Sequence, residues 1–346
     1  MSARAGGAAE QRGVVPRAMG FFKRHKRLVQ AGVLALIVIF VGAAVWKSWS
    51  QLAHYRWQVQ WGLLVAAFAL LVAQELSYAF IWRGILARMG ARLEIVSSQR
   101  IYLGAEFVRY IPGNVWHVIT RVLWAEQRGV PKAVGFASMV VELATKIASA
   151  ALVFVLTLFF WPDTHALAAT IPHTSLVVLG AVLIPLLLFG LQPRLLRGTL
   201  NLGLRKLGRE PVSFALSYAD VLLITLYWTL SWLVAGAGFY LLVRALVTTP
   251  LPATGLIPAI GIYAIGWDIG FVSFVTPSGL GFREVAIAGL LLASGLAPGV
   301  PLATVVALIA RLLSTGSELV CITAAHLVRG APPLPQPEPM AEARAR

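Results

Sequence analysis

Two short stretches set arginine beside a proline–glycine break in otherwise apolar sequence. The first is Phe107-Val108-Arg109-Tyr110-Ile111-Pro112-Gly113-Asn114, and the second is Phe271-Val272-Ser273-Phe274-Val275-Thr276-Pro277-Ser278-Gly279. Arg121 follows the first break; Gly281, Arg283 and Glu284 follow the second. Proline stops one helix, and the amides that open the next attract anions, phosphate above all. Asn114 and Ser278 stand where they can cap such a helix. Guanidinium groups offer paired donors that match phosphate oxygens. Capture of a phosphate-bearing group by Arg109, Arg121 and Arg283 is therefore the chemistry on offer. Plain helix kinks, with arginines reaching out to water, are the simpler explanation of one copy. Two copies in the same order favour binding.

Further along, each copy has Ser-x-x-x-Glu-Leu in an apolar run: Ser138 to Glu142-Leu143, and Ser314 to Glu318-Leu319. Spacing of four puts each serine and glutamate on one helix face. An ionised carboxylate at such depth must be paired, protonated or wet. Glu142 can pair with Lys146 one turn on, or either glutamate with a hairpin arginine. Either can also serve substrate or protons, and a pair that opens during turnover does both. Glu106 and Asp268 precede the breaks and are candidates to line a cavity. Glu75 reads as a structural contact, His117 as a packing residue, and the tryptophans mainly as interfacial anchors. No Gly-rich phosphate loop, His-Glu-x-x-His or Gly-x-Ser-x-Gly occurs, so no catalytic residue is assigned. No Cys-x-x-Cys or zinc spacing occurs either, so neither metal nor cofactor is expected.

What positions these residues is a membrane. Of 346 residues, 58% are hydrophobic and only 12% charged, too apolar for a soluble domain. Several runs reach the roughly 18 residues of a spanning helix. A net charge of +15 would suggest nucleic acid in a soluble protein, but here Lys and Arg fall between apolar runs. That is the pattern of cytoplasmic loops, and nucleic acid is excluded as a partner. The lone Cys321 lies in an apolar run and forms no internal disulfide.

The pattern predicts an all-α polytopic protein with about six full spans and two hairpins, or eight spans if the second hairpin crosses fully. Residues 1–27 read as a disordered basic N-terminus, 28–330 as one transmembrane domain and 331–346 as a disordered tail. Spans are expected at 28–46, 61–82, 133–161, 175–191, 219–247 and 302–328. Residues 101–124 divide at Pro112-Gly113 into halves of about 11 residues, roughly 16 Å each, half the hydrocarbon thickness. A re-entrant hairpin fits them. The segments 255–275 and 282–296 flank the second break. Residues 194–209 read as a basic cytoplasmic loop. The Lys and Arg distribution puts both termini in the cytoplasm of a multi-pass cell-membrane protein. It also makes 61–161 and 219–328 an inverted repeat of span, broken hairpin and span with Glu, a plan found in transporters.

The motifs Arg109-Tyr110-Ile111-Pro112-Gly113-Asn114 and Pro277-Ser278-Gly279-Leu280-Gly281-Phe282-Arg283-Glu284 resemble the lysylphosphatidylglycerol synthase transmembrane region family over roughly 25–330. That family includes the flippase half of the multiple peptide resistance factor. The resemblance implies re-entrant helices and movement of a modified phospholipid between leaflets. It marks Arg109, Pro112, Gly113, Pro277, Gly279, Gly281, Arg283 and Glu284 by position, with Glu142 and Glu318 matching the family's intramembrane acids. Asn114 and Trp116 depart from the Gly-rich run of relatives. The chain looks to lack the aminoacyl-transferase domain, so it is not expected to make the lipid. The expected function is translocation of a phospholipid or polyprenyl-phosphate lipid. Alternatives are a membrane-embedded transferase on lipid-linked sugars, a non-catalytic partner of a soluble lipid-modifying enzyme, and a small-solute transporter. A homo-oligomer is open.

Overall fold

The structure, a computed structural model, describes residues 58–107, 116–161, 173–206, 216–247, 250–273 and 281–327, with Trp46, Pro211 and Gly279. Residues 28–45 of the expected first span, the termini 1–27 and 331–346, and Arg109, Pro112, Gly113, Asn114, Pro277 and Ser278 lie outside the described residues.

The described chain is all helix: α1 Trp61–Arg88, α2 Ile95–Phe107, α3 Trp116–Glu126, α4 Lys132–Leu158, α5 His173–Gly190, α6 Pro193–Lys206, α7 Tyr218–Leu246, α8 Leu256–Val272, α9 Phe282–Ala293 and α10 Val300–Leu327. Local sequence explains the ends. Gly90 takes φ 85° after α1, and the Ala91 amide donates to the Leu86 carbonyl at 2.9 Å, a glycine-terminated cap. Ser217 and Asp220 form a reciprocal capping box at the start of α7. Gly190 ends α5 and Pro193 opens α6, and the chain bends by 65° between them.

Five segments are long and apolar enough to cross a bilayer: Trp61–Arg88, Lys132–Leu158, Tyr218–Leu246, Ala253–Val272 and Val300–Ala325; the bent α5–α6 pair makes up to six. Many of their large apolar side chains face outward, among them Val65, Phe80, Leu230 and Leu312. With no apolar partner among the described residues, such faces belong against lipid. This is a multi-pass membrane protein.

One detail corrects the sequence reading, and another bears out the unequal arms expected of the second break. The basic stretch expected to be a loop is helix α6. Leu196 and Leu200, one turn apart, are buried while Arg194 and Arg205 are exposed, the pattern of a helix lying on apolar structure. The second hairpin is also asymmetric. Its arm α9 has 12 residues, roughly 18 Å, too short to cross alone, and it folds back onto α8.

The packing repeats. Helices α1–α4 run long, short, short, long, and so do α7–α10. Exchanging one set for the other leaves the neighbours unchanged. α1 packs on α2 as α7 does on α8; α2 on α3 as α8 on α9; α3 on α4 as α9 on α10. Between sets, α4 packs on α8 as α10 does on α2, and α4 on α7 as α10 on α1. α1 and α7 meet each other along their lengths. The Gln60 amide donates to the Ala245 carbonyl at 3.0 Å, Ser77 Oγ lies 3.0 Å from Ser231 Oγ, and Arg88 Nε lies 3.2 Å from Asp220 Oδ1. The start of α1 therefore meets the end of α7, and the reverse, so the two sets run antiparallel. Gly236 permits a close crossing, since a Cβ there would collide with the Ile260 backbone of α8.

Candidate functional site

Both hairpins end against the middle of a long helix. Glu106, near the end of α2, meets a guanidinium that also holds Glu142, ten residues into the 27-residue α4, roughly 15 Å deep. Arg311, at a similar depth in α10, lies 3.6 Å from Glu284 at the start of α9.

The first cluster grows from a polar stripe on α4. Ser138, Glu142, Thr145, Lys146 and Ser149 recur at helical spacing, all buried. Arg121 of α3 donates through Nη1 to Glu142 at 2.6 Å and through Nη2 to Glu106 at 2.5 Å. The Tyr102 hydroxyl donates to the other Glu142 oxygen at 2.7 Å, and its ring lies 3.9 Å beneath the Arg121 guanidinium. Trp82 covers the same guanidinium at 5.5 Å and donates its indole N–H to Ser138 Oγ at 3.0 Å. Two carboxylates hold one guanidinium, and Arg121 is only 2% exposed. The hairpin-arginine pairing is thus what Glu142 adopts. Arg121, expected to reach for phosphate, is engaged by Glu106 and Glu142 instead.

The second cluster is built differently. Gly279 and Gly281 have φ 67° and 88°, and a Cβ on Gly279 would collide with the Gly270 backbone. The returning chain therefore crosses directly over α8, which only glycine permits. Gly281 caps α9, three residues beyond Ser278. Its amide donates to Glu284 Oε2 at 2.6 Å, so Glu284, expected to bind substrate, anchors the elbow. Arg283 lies 5.2 Å over the Tyr263 ring and is 8% exposed. Its Nε and Nη2 have no hydrogen-bond partner among the described residues. Glu318 is buried on α10, on a stripe with Arg311, Ser314 and Cys321.

The two clusters thus share a tyrosine on the first hairpin arm and an arginine on the second. They differ in satisfaction: two acids hold Arg121 and leave only its Nε without a hydrogen-bond partner among the described residues, while Arg283 has neither Nε nor Nη2 partnered there. A third feature lies between them. Lys146 Nζ sits among the rings of Tyr78, Trp267, Trp228 and Trp232, 3.8–5.9 Å from their centroids. Trp82, Trp228 and Trp232 are buried at 0–1% exposure, not interfacial anchors. Trp228 and Trp232 stand one turn apart on α7 and Lys146 lies in an apolar run; that coincidence was the available signal. No group of three His, Cys, Asp or Glu among the described residues is placed to hold a metal.

The pattern of the family described as lysylphosphatidylglycerol synthase TM region matches residues 28–319. The chain belongs to this family. No curated protein matches it. Both hairpins, both charged clusters and the Lys146 box fall inside the stretch matched to the lysylphosphatidylglycerol synthase TM region, a membrane domain connected with lipid.

Proposed function

We propose that this protein moves a phosphate-bearing lipid between leaflets of the cell membrane, through two re-entrant hairpins that enter from opposite faces. The carrying observation is Arg283. A guanidinium buried to this degree, with two nitrogens lacking a hydrogen-bond partner among the described residues, costs free energy unless an anion completes it. Its plane, backed by the Tyr263 face and steadied by the glycine elbow, suits bidentate contact with phosphate. The sequence motifs add to the proposed binding set Arg109, Pro112, Gly113, Asn114, Pro277 and Ser278, which lie outside the described residues, and the buried Glu318. In the first cluster Glu106 and Glu142 compete with phosphate for Arg121. The antiparallel sets supply the rest, since rocking one against the other turns a mid-depth site from one leaflet to the other. The Lys and Arg distribution supports a cytoplasmic Arg88 end and cytoplasmic termini.

The test is leaflet-specific labelling in proteoliposomes. Purified protein should move phosphatidylglycerol or a polyprenyl phosphate across the bilayer faster than empty vesicles do. Absence of movement for every phosphate-bearing lipid overturns the proposal. Movement that persists in Arg283→Ala overturns the site.

A further inference from the structure

Lys146 is 5% exposed, and its Nζ lies 3.8 Å from the Tyr78 centroid, 4.2 Å from Trp267, 4.8 Å from Trp228 and 5.9 Å from Trp232. The rings come from α1, α7 and α8, and their own contacts hold them. Trp232 donates its indole N–H to Ser149 Oγ at 3.0 Å, Trp267 stacks on Phe271 at 5.2 Å and 8°, and Tyr78 packs on Trp228 at 5.2 Å. Asp268, next to Trp267, is buried within electrostatic reach of Lys146. Its Oδ1 has no hydrogen-bond partner among the described residues. Aromatic faces with a carboxylate at the edge are the chemistry that recognises an ammonium group.

We infer that this box is an ammonium site which the chain fills with its own lysine, and that Lys146 thereby bars lipids whose head group carries a fixed ammonium. Ion pairing with Asp268 or Glu142 does not by itself account for four ring faces at 3.8–5.9 Å from the ammonium. A head group accepted near Arg283 would then bring a phosphate and no cation, since the cation's place is taken. For its lipid consequence this rests on the translocase reading; the box itself does not.

Truncating Lys146→Ala removes three methylenes and the ammonium, a shape that n-propylammonium restores. Tryptophan fluorescence from the box and the thermal midpoint report occupancy in detergent. Lys146→Ala should bind n-propylammonium saturably, roughly tenfold or more tightly than n-propanol, while wild type responds to neither. Equal response to amine and alcohol, or saturable amine binding by wild type, overturns the inference. If Lys146→Ala does not survive purification, wild type decides the matter. From equimolar mixed micelles it should retain phosphatidylglycerol roughly tenfold over phosphatidylethanolamine; equal retention, including none of either, overturns it. Amine binding to Lys146→Ala without any lipid movement by wild type removes the translocase reading and leaves the box standing.

Discussion

Arg121 and Arg283 are the same residue type at similar depth, each over a tyrosine ring, yet their surroundings ask for opposite outcomes on truncation. Arg121→Ala removes the guanidinium that bridges the buried Glu106 and Glu142. Removing one partner of a buried pair costs about 3–5 kcal/mol, so the variant should unfold well below wild type in a detergent melt. Restoring charge balance with Glu106→Gln and Glu142→Gln in the same chain should recover part of the loss. Arg283→Ala removes a guanidinium with unmet donors and leaves no carboxylate bonded only to it among the described residues. Its melt should stay close to wild type while lipid movement falls to background. A melt for Arg283→Ala as poor as that of Arg121→Ala would mean that both arginines are structural. The sequence exposed these candidates through charge in apolar runs, because such charge has few reasons to be there. It did not show which arginine was already held by acids. Glu106 lies fifteen residues before Arg121 and Glu142 twenty-one after it, and only the fold closes that triad.

At the scale of elements, the breaks were legible because proline and glycine act locally, whatever the rest of the chain does. The short arms α2, α3 and α9 follow from them. Helix α6 was misread for the opposite reason: its basic residues dominated the composition, while Leu196 and Leu200, which make it a helix on a surface, are few. Gly279 tests the second elbow. Its φ of 67° strains any side chain, and a Cβ meets the Gly270 backbone, which has nowhere to retreat within α8. Gly279→Ala should cost on the order of 1–3 kcal/mol. It should also dislodge Arg283 from Tyr263, so lipid movement should fall further than the melt accounts for. Gly289→Ala, on the same hairpin with open space around it, is the control and should change neither. If the two variants match, the elbow does not position the site.

For the whole molecule, the antiparallel arrangement was readable from the alternation of basic and uncharged loops, which the bilayer enforces over the full chain. The partner exchange between the sets was not, because no local pattern says that α4 lies on α8 or α10 on α2. The arrangement makes two linked predictions in a Cys321→Ala background. Cysteine at Gln60 and at Arg244, both exposed at that end of the helix pair, should be labelled by an impermeant maleimide from one face of the membrane, and cysteine at Arg88 and at Asp220 from the other. Cysteines at Ser77 and Ser231, whose hydroxyl oxygens are 3.0 Å apart, should form a disulfide under mild oxidation. That bridge lies where the two sets face each other, half-way along α1 and α7. If transport rocks one set against the other about this contact, the oxidised protein should keep much of its lipid movement, since a pivot tolerates a pin. A bridge between Gln60→Cys and Ala245→Cys, at the far end of the same helix pair, should stop movement until reduced. Loss of movement from the central bridge with none from the terminal one would require sliding along α1 and α7 in place of rocking. Labelling of all four end positions from one face would remove the antiparallel arrangement, and with it the route by which a mid-depth head group could change leaflets.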